Sequence, residues 1–95
     1  MYINWDKEKD EKLFKERGVS FDDVLKCIER DEIIDVVEHP NKDKYSKQMI
    51  MIVELNNYVH IVPFVVEKDE IFLKTIIPSR KYNKKYQGVN SDETR

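Results

Sequence analysis

The feature that most constrains the fold is a pair of apolar segments separated by two asparagines, Asn56 and Asn57. The first segment, QMIMIVEL, runs from Gln48 to Leu55, and the second, YVHIVPFVVE, begins at Tyr58. Asparagine tolerates the positive φ angles that a two-residue hairpin turn requires. We therefore predict an antiparallel hairpin in which Leu55 faces Tyr58.

The register of this hairpin extends into a further strand, IFLKTII, which follows a second turn at EKDE. It pairs Phe64 with Leu73, Val62 with Thr75 and His60 with Ile77. Strand alternation then gives the sheet two faces, and both are too apolar for open solvent. Two short helices can cover one face, so the other must be covered by the tail helix, by another chain, or by both.

Two helices are predicted before these strands. A charged segment ends at Gly18, which occupies the position of a C′ glycine, where only glycine takes the left-handed conformation without cost. Ser20 and Asp23 have the spacing of a capping box, which marks the start of the second helix. The apolar residues that follow have helical spacing: Phe21, Val24, Leu25 and Ile28.

The β-branched run EIIDVV, residues 32–37, is predicted to be the first strand, and the loop HPN ends it. The order is ααββββ, followed by a short basic helix from Arg80 to about Gln87. The expected fold is therefore α+β, with two N-terminal helices, a four-stranded antiparallel sheet and a short C-terminal basic helix. Residues 1–87 are expected to form a single domain, and residues 88–95 a disordered tail.

Several classes of protein are disfavoured by composition. A single cysteine, Cys27, cannot form an internal disulfide, and the charged opening MYINWDKEKDEK lacks the apolar run of a secretory leader, so we expect a cytoplasmic protein. The longest apolar stretch is too short to span a bilayer, so we expect no membrane partner. Cys27 and two distant histidines match no zinc pattern, and two glycines exclude most phosphate-cradling loops. We therefore expect no metal and no cofactor.

The charge is unevenly distributed. The stretch KTIIPSRKYNKKY, from Lys74 to Tyr86, carries five cations and no acid in a chain whose formal net charge is -2. Such a patch sets the field that a nucleic acid would feel. RNA cleavage without metal needs a base for the 2′-hydroxyl, cations for the phosphorane oxygens and an acid for the leaving 5′-oxygen. The candidate cations are Arg80, Lys81, Lys84 and Lys85.

Other candidates have both structural and functional interpretations. Tyr82 and Tyr86 are candidates for stacking on a base or donating a proton. His39 precedes a proline at a strand end, where it either caps a turn or transfers protons. Tyr45, in the following loop, is either a lid over the core or a site residue. His60 is more typical of a hydrogen-bonded core histidine, and a lysine-rich last helix is often only a solvated surface.

The N-terminal part of the chain, WDKEKDEKLFKERGVSFDDVLKCI, contains a WDxxK motif, then a predicted helix, then a GVSF element that starts a second helix. This order resembles the opening of the BrnT-type toxins. The segment IIPSRK, from Ile76 to Lys81, is similar to the family's IISAR(K/R) ending. The resemblance runs from about Ile3 to Tyr86.

The resemblance implies a small RelE/ParE-like toxin of a bacterial type II toxin–antitoxin module. Such toxins are metal-independent ribonucleases that inhibit translation. Each is neutralised by a cognate antitoxin, commonly of the ribbon-helix-helix type, and the complex meets DNA only through that antitoxin. The expected fold agrees with this family, and the expected partners are an antitoxin and RNA.

Under this hypothesis, Arg80 and Lys81 bind or stabilise the scissile phosphate. The candidates for proton transfer are His39, Tyr45 and Tyr86. The residues expected to contact RNA are Lys74, Lys84, Lys85, Tyr82 and Tyr45. The alternative function is a non-catalytic module whose basic helix holds an acidic antitoxin segment and acts with it in transcriptional autoregulation. A third interpretation is a structural protein whose basic tail only confers solubility.

Overall fold

Three helices and six strands follow one another in the computed structural model, which describes residues 2–86 and the helical backbone that continues from them. The elements are β1 (Tyr2–Trp5), α1 (Lys7–Arg17), α2 (Phe21–Glu29), β2 (Asp35–Glu38), β3 (Gln48–Leu55), β4 (Tyr58–Glu67), β5 (Glu70–Leu73), β6 (Ile77–Pro78) and α3 (Arg80–Glu93). The predicted α+β class is confirmed. Helix α3 is longer than the predicted basic helix, which ended near Gln87, because its backbone continues to Glu93 through most of the segment predicted to be a disordered tail, 88–95.

The caps predicted at Gly18 and at Ser20 are formed, and a further cap at Asp6, which was not predicted, begins the first helix. Asp6 accepts hydrogen bonds from the backbone N–H groups of Glu8 and Lys9, at 2.8 and 3.1 Å, and so starts α1. Gly18, with φ 70°, ends that helix in the left-handed conformation. Ser20 and Asp23 form the predicted capping box at the start of α2. These short-range signals therefore position both helices.

The hairpin of β3 and β4 forms in the predicted register. Asn56 and Asn57 have φ angles of 53° and 61°, as a two-residue turn of this type requires. Leu55 pairs with Tyr58, and the ladder continues from there to the pair formed by Gln48 and Val65. The turn thus sets the register of the two longest strands.

The four-stranded sheet of the prediction is wrong, because the described residues form a six-stranded sheet. Its order is β1-β5-β4-β3-β2, with β6 pairing to β4 beyond the end of β5. The strand missed at the N-terminus is β1, which pairs in parallel with β5 and places Tyr2 opposite Glu70. The strand predicted over residues 32–37 is β2, which begins later, at Asp35, because Glu32 still donates its N–H to Cys27 at the end of α2.

The single last strand of the prediction is divided into β5 and β6. Phe64 pairs with Leu73 as expected, but His60 pairs with Pro78 and not with Ile77. One extra residue therefore lies on the β5–β6 side, as in a β-bulge.

The extra residue lies beside a proline of β4. Pro63 accepts a hydrogen bond from the Lys74 N–H at 2.8 Å but has no N–H to return it, so the ladder can slip there at little cost. As a result Ile76 lies on the same face as Leu73, whereas uninterrupted strand alternation would place the two on opposite faces, and both are fully buried.

The two faces of the sheet carry separate apolar clusters. The larger cluster packs α1 and α2 against β3, β4 and β5 and includes Leu13, Phe21, Val24, Met51, Val53, Val62, Leu73 and Ile76. The smaller cluster, on the other face, consists of Ile50, Ile52 and Val59, with Tyr82 and Tyr86 packed against it. Helix α3 therefore supplies part of the cover that the second face was expected to need.

Candidate functional site

Helix α3 is attached to the sheet at its first residues. The Ser79 hydroxyl accepts a hydrogen bond from the Tyr82 N–H at 3.2 Å, and the Ser79 N–H donates to the Val59 carbonyl at 3.0 Å. The Asn83 carboxamide oxygen accepts from the Val59 N–H, also at 3.0 Å. Ser79 and Asn83 therefore fix the start of the helix to the start of β4. The sequence reasoning missed both, although a serine three residues before Tyr82 is an ordinary capping signal.

The tyrosines of α3 face the sheet. Tyr82 and Tyr86 stand one helical turn apart, with ring centroids 6.2 Å apart and planes within 19° of each other. Both are half-buried, since they pack against the smaller apolar cluster. The ammonium groups of Lys81 and Lys85 lie 5.4 and 5.2 Å from the centroids of these rings. The geometry leaves each tyrosine little free ring surface for a base.

The cations of α3 face solvent. We call Arg80, Lys81, Lys84 and Lys85 the basic row. All four are exposed, and their spacing makes two like-charged pairs at i, i+4 on the outer side of the helix. Across residues 2–86 the salt bridge that the structure shows joins Lys42 to Glu38, outside this row. The basic row thus presents positive charge that no acidic side chain of residues 2–86 is shown to neutralise by direct contact.

The start of α3 concentrates this charge further. Its first turn contains no acidic side chain and begins with Arg80 and Lys81, whereas α1 has Glu8 and Asp10 in its first turn. A helix N-terminus carries a partial positive charge, which stabilises anions and disfavours cations. Free backbone N–H groups at that end also bind phosphate directly. The first turn of α3 therefore has the charge of an anion-binding site.

Lys74 lies on the same face of the sheet as α3. Its ammonium group is 5.5 Å from the ring centroid of Phe72, which pairs with Val65 on β4. Strand alternation places Phe72 and Lys74 on one face, the face that carries Ile50 and the tyrosines of α3. Lys74 therefore adds a fifth exposed cation to this side of the molecule.

His39 and Tyr45 lie together in the loop between β2 and β3. Their ring centroids are 4.3 Å apart, and the Lys44 ammonium lies 5.3 Å from the Tyr45 ring. His39 Nδ1 accepts a hydrogen bond from the Asn41 N–H at 3.1 Å, so the ring caps the turn and carries its proton on Nε2 when neutral. A cavity of about 140 Å³ opens beside the pair.

The loop and the start of α3 are at opposite ends of the central strands. The loop enters β3 at Gln48, which pairs with Val65, whereas α3 is attached at Val59. Val59 and Val65 are six residue steps apart along β4, which corresponds to about 20 Å. The predicted site residues therefore form two groups: the basic row with Lys74 and the tyrosines of α3, and the pair formed by His39 and Tyr45.

A separate cavity of about 580 Å³ contains none of the predicted site residues. It is lined by Cys27, Glu32, Ile34, Glu54, Asn56 and Asn57. Burial, aided by Glu32 and Asp23, raises the pKa of the Cys27 thiol, so the sulfur stays protonated and unreactive near neutral pH. The acidic lining also disfavours phosphate, and the cavity adds nothing to an RNA site.

Comparisons with protein-family models, curated proteins and solved structures find no match for this chain. Among the described residues, no group of three or more histidine, cysteine or carboxylate side chains is placed to hold a metal ion. No helix in the same part of the chain is long and apolar enough to cross a membrane.

His60 belongs to the core. It is 6% exposed, and its Nδ1–H donates to the Tyr58 carbonyl at 2.8 Å. Burial lowers the pKa of His60, and the positive charge of Arg17 lowers it further, against the opposing effect of the hydrogen bond to Tyr58. The folded protein therefore favours the neutral ring more strongly than the unfolded chain does.

We expect the free energy of unfolding to decrease as the pH falls below about 6.5, the ordinary pKa of histidine, because the unfolded chain then binds a proton that folded His60 resists. His60→Gln should flatten this part of the pH profile in urea denaturation. Val62→Ala, at a fully buried neighbour, should lower stability equally at every pH. A His60→Gln profile as steep as that of the wild type between pH 5 and pH 7 would contradict this assignment.

Proposed function

We propose that this chain is the toxin of a bacterial type II toxin–antitoxin module, with a RelE-like fold, and that it binds RNA through the basic row. The observation that carries the proposal is the pair of cations, Arg80 and Lys81, in the first turn of α3. Cations at this end of a helix lower its stability by a few tenths of a kcal/mol each, and a bound phosphate reverses that effect. An anionic ligand is thus what this arrangement suits.

The remaining contacts support a division of roles along α3. Tyr82 and Asn83 hold the helix on the sheet, which keeps the basic row directed outward. Arg80 and Lys81 are suited to the phosphate at which charge develops, because their cations stand beside the helix N-terminus. Lys84 and Lys85, one turn later, follow the RNA backbone, and Lys74 extends the positive surface on the same face. The attacking group is the 2′-hydroxyl of the RNA itself.

Proton transfer is proposed for Tyr86, His39 or Tyr45. Tyr86 is on the same helix as the basic row, whereas His39 and Tyr45 would meet a different nucleotide of an RNA that crosses this face. The toxin is proposed to inhibit translation by cleaving RNA and to be neutralised by a DNA-binding antitoxin of the ribbon-helix-helix type.

The test is induction of the chain in bacteria without its antitoxin. Wild type should arrest growth and deplete intact RNA, and Arg80→Ala should reduce the cleavage rate a hundredfold or more, because a preorganised charge at the transition state is lost. Arg30→Ala is a matched control, since Arg30 is exposed at the end of α2, away from α3. Arrest by Arg80→Ala at the wild-type level would contradict the assigned role.

A non-catalytic function is the second candidate, and the separation of the two groups favours it. The start of α3 is attached at Val59 of β4, whereas the loop of His39 enters β3 opposite Val65, about 20 Å away, so His39 does not stand beside Arg80. His60 pairs with Pro78 near the start of α3, but its side chain is buried in the core. In this case the basic row holds an acidic segment of the antitoxin, and the pair acts in transcriptional autoregulation. Induced wild type would then leave growth and RNA unchanged while binding the antitoxin tightly, and Arg80→Ala would weaken that binding.

A further inference from the structure

The two edge strands of the sheet differ in how they are protected. On β2, Asp35 and Glu38 are charged, and the Asp35 carboxylate accepts a hydrogen bond from the Val36 N–H at 2.8 Å. Charges and occupied backbone groups are the usual protection of an exposed edge. The strand at the other edge, β1, has the sequence YINW, with no charge and no proline. Of these two edge strands, β1 is therefore the one open to pairing along its length.

The outward backbone groups of β1 follow from its pairing with β5. The Tyr2 N–H donates to the Asp69 carbonyl at 2.7 Å, so Tyr2 and Asn4 direct their backbone groups toward β5. The residues between and after them, Ile3 and Trp5, direct their N–H and C=O groups away from the sheet. These are the groups that a further strand would meet.

We infer that β1 pairs antiparallel with β1 of a second copy of this chain, around a two-fold axis at Asn4. In this register Ile3 of each copy faces Trp5 of the other, so all four outward N–H groups and all four carbonyls are paired, with four hydrogen bonds in all. A register shifted by two residues either way pairs only half of these groups within the strand. The pairing also extends the sheet without a break.

The charges near β1 are compatible with a second copy of the chain as its pairing partner. Tyr2 of one copy lies opposite Asp6 of the other, and Asp6, with φ -79° and ψ 124°, keeps the extended backbone that this pair needs. No like charges are directly opposed. Pairing of β1 with β2 would not close and would give open fibres.

The paired segment is short, so the dimer is weak. A four-residue strand buries far less than the roughly 1,200 Å² of a stable standard interface, which places the contact among transient associations. The association is therefore expected to depend on protein concentration. It is independent of the RNA-binding function proposed above.

The test uses opposite charges at Tyr2, whose side chain is 74% exposed and can be replaced without loss of core packing. All the proteins compared carry Glu70→Gln, because Glu70 pairs with Tyr2 within the same chain and would otherwise repel or attract the new charge there. Tyr2→Glu places two carboxylates opposite Asp6 residues and should weaken dimerisation about tenfold, since two cross-strand pairs become repulsive. Tyr2→Lys creates two attractive pairs and should strengthen it. Sedimentation velocity from micromolar to millimolar protein at low salt measures both effects.

Opposite shifts of the two variants about the Glu70→Gln parent support the inference, and added salt should bring the three proteins together. A monomer at every concentration for both that parent and Tyr2→Lys overturns it. Equal shifts in one direction overturn the proposed register, because they would show that Tyr2 does not face Asp6. Species larger than a dimer overturn the two-fold pairing.

Discussion

Phe21→Ala is expected to lower the free energy of unfolding by about 3–5 kcal/mol, the usual cost of removing a buried phenyl ring and leaving a cavity. Phe21 is 0% exposed and stacks on Trp5, with ring centroids 5.7 Å apart. It therefore joins α2 to the edge strand β1 through one contact. A domain of this size has a total stability of about 5–15 kcal/mol, so much of it is lost. Urea denaturation followed by far-UV circular dichroism measures the change.

Phe14→Ala is the matched control, because it makes the same chemical change on the neighbouring helix. Phe14 is 63% exposed, and its carbonyl, which accepts the Gly18 N–H, is unaffected by the substitution. Its effect should stay within about 0.5 kcal/mol. Equal losses for the two variants would show that Phe21 is not a core residue.

The parts of the fold that follow from sequence are those determined by neighbours along the chain. The turn at Asn56 and Asn57 fixes the register of β3 and β4, since both residues accept positive φ and a slip by one residue would exchange the side chains of the two faces. Gly18 and the capping box at Ser20 act within a few residues in the same way. Each signal is local and has one favourable geometry.

The parts that sequence reasoning missed depend on distant partners. The segment YINW becomes a strand because β5, nearly seventy residues later, pairs with it in parallel, and no local pattern signals that partner. The bulge between β5 and β6 has a visible cause in Pro63, but its effect falls on the neighbouring strand and moves Ile76 to the other face. The pairing register predicted for a strand therefore does not hold past the point where a proline interrupts the neighbouring strand.

The candidate site divides in the same way. The basic row was found from charge alone, because helical spacing brings its four residues to one side. What the spacing did not indicate is that Tyr82 and Tyr86 pack on the sheet, since this depends on an apolar face formed by Ile50 and Ile52. The contact between His39 and Tyr45 was likewise not predicted from composition. It forms because backbone hydrogen bonds within the loop turn the chain back on itself.

Replacing the whole basic row with glutamine is expected to reduce affinity for a short single-stranded RNA at least a hundredfold at low salt. Each lost phosphate contact also reduces the steepness of the salt dependence by about 0.7, so the slope of log affinity against log salt should fall by up to about 3. Fluorescence anisotropy over a salt series measures this binding. The RNA probe has every 2′-hydroxyl blocked, so that it can be bound but not cleaved.

The matched control replaces four exposed lysines of α1 with glutamine: Lys7, Lys9, Lys12 and Lys15. It removes the same number of charges from another helix, so the net charges of the two variants are equal. If RNA is bound at α3, this control should keep most of the affinity and of the salt slope, because charges farther than about 10 Å from the RNA are screened. Equal losses for the two variants would mean that total charge, and not the start of α3, attracts the RNA.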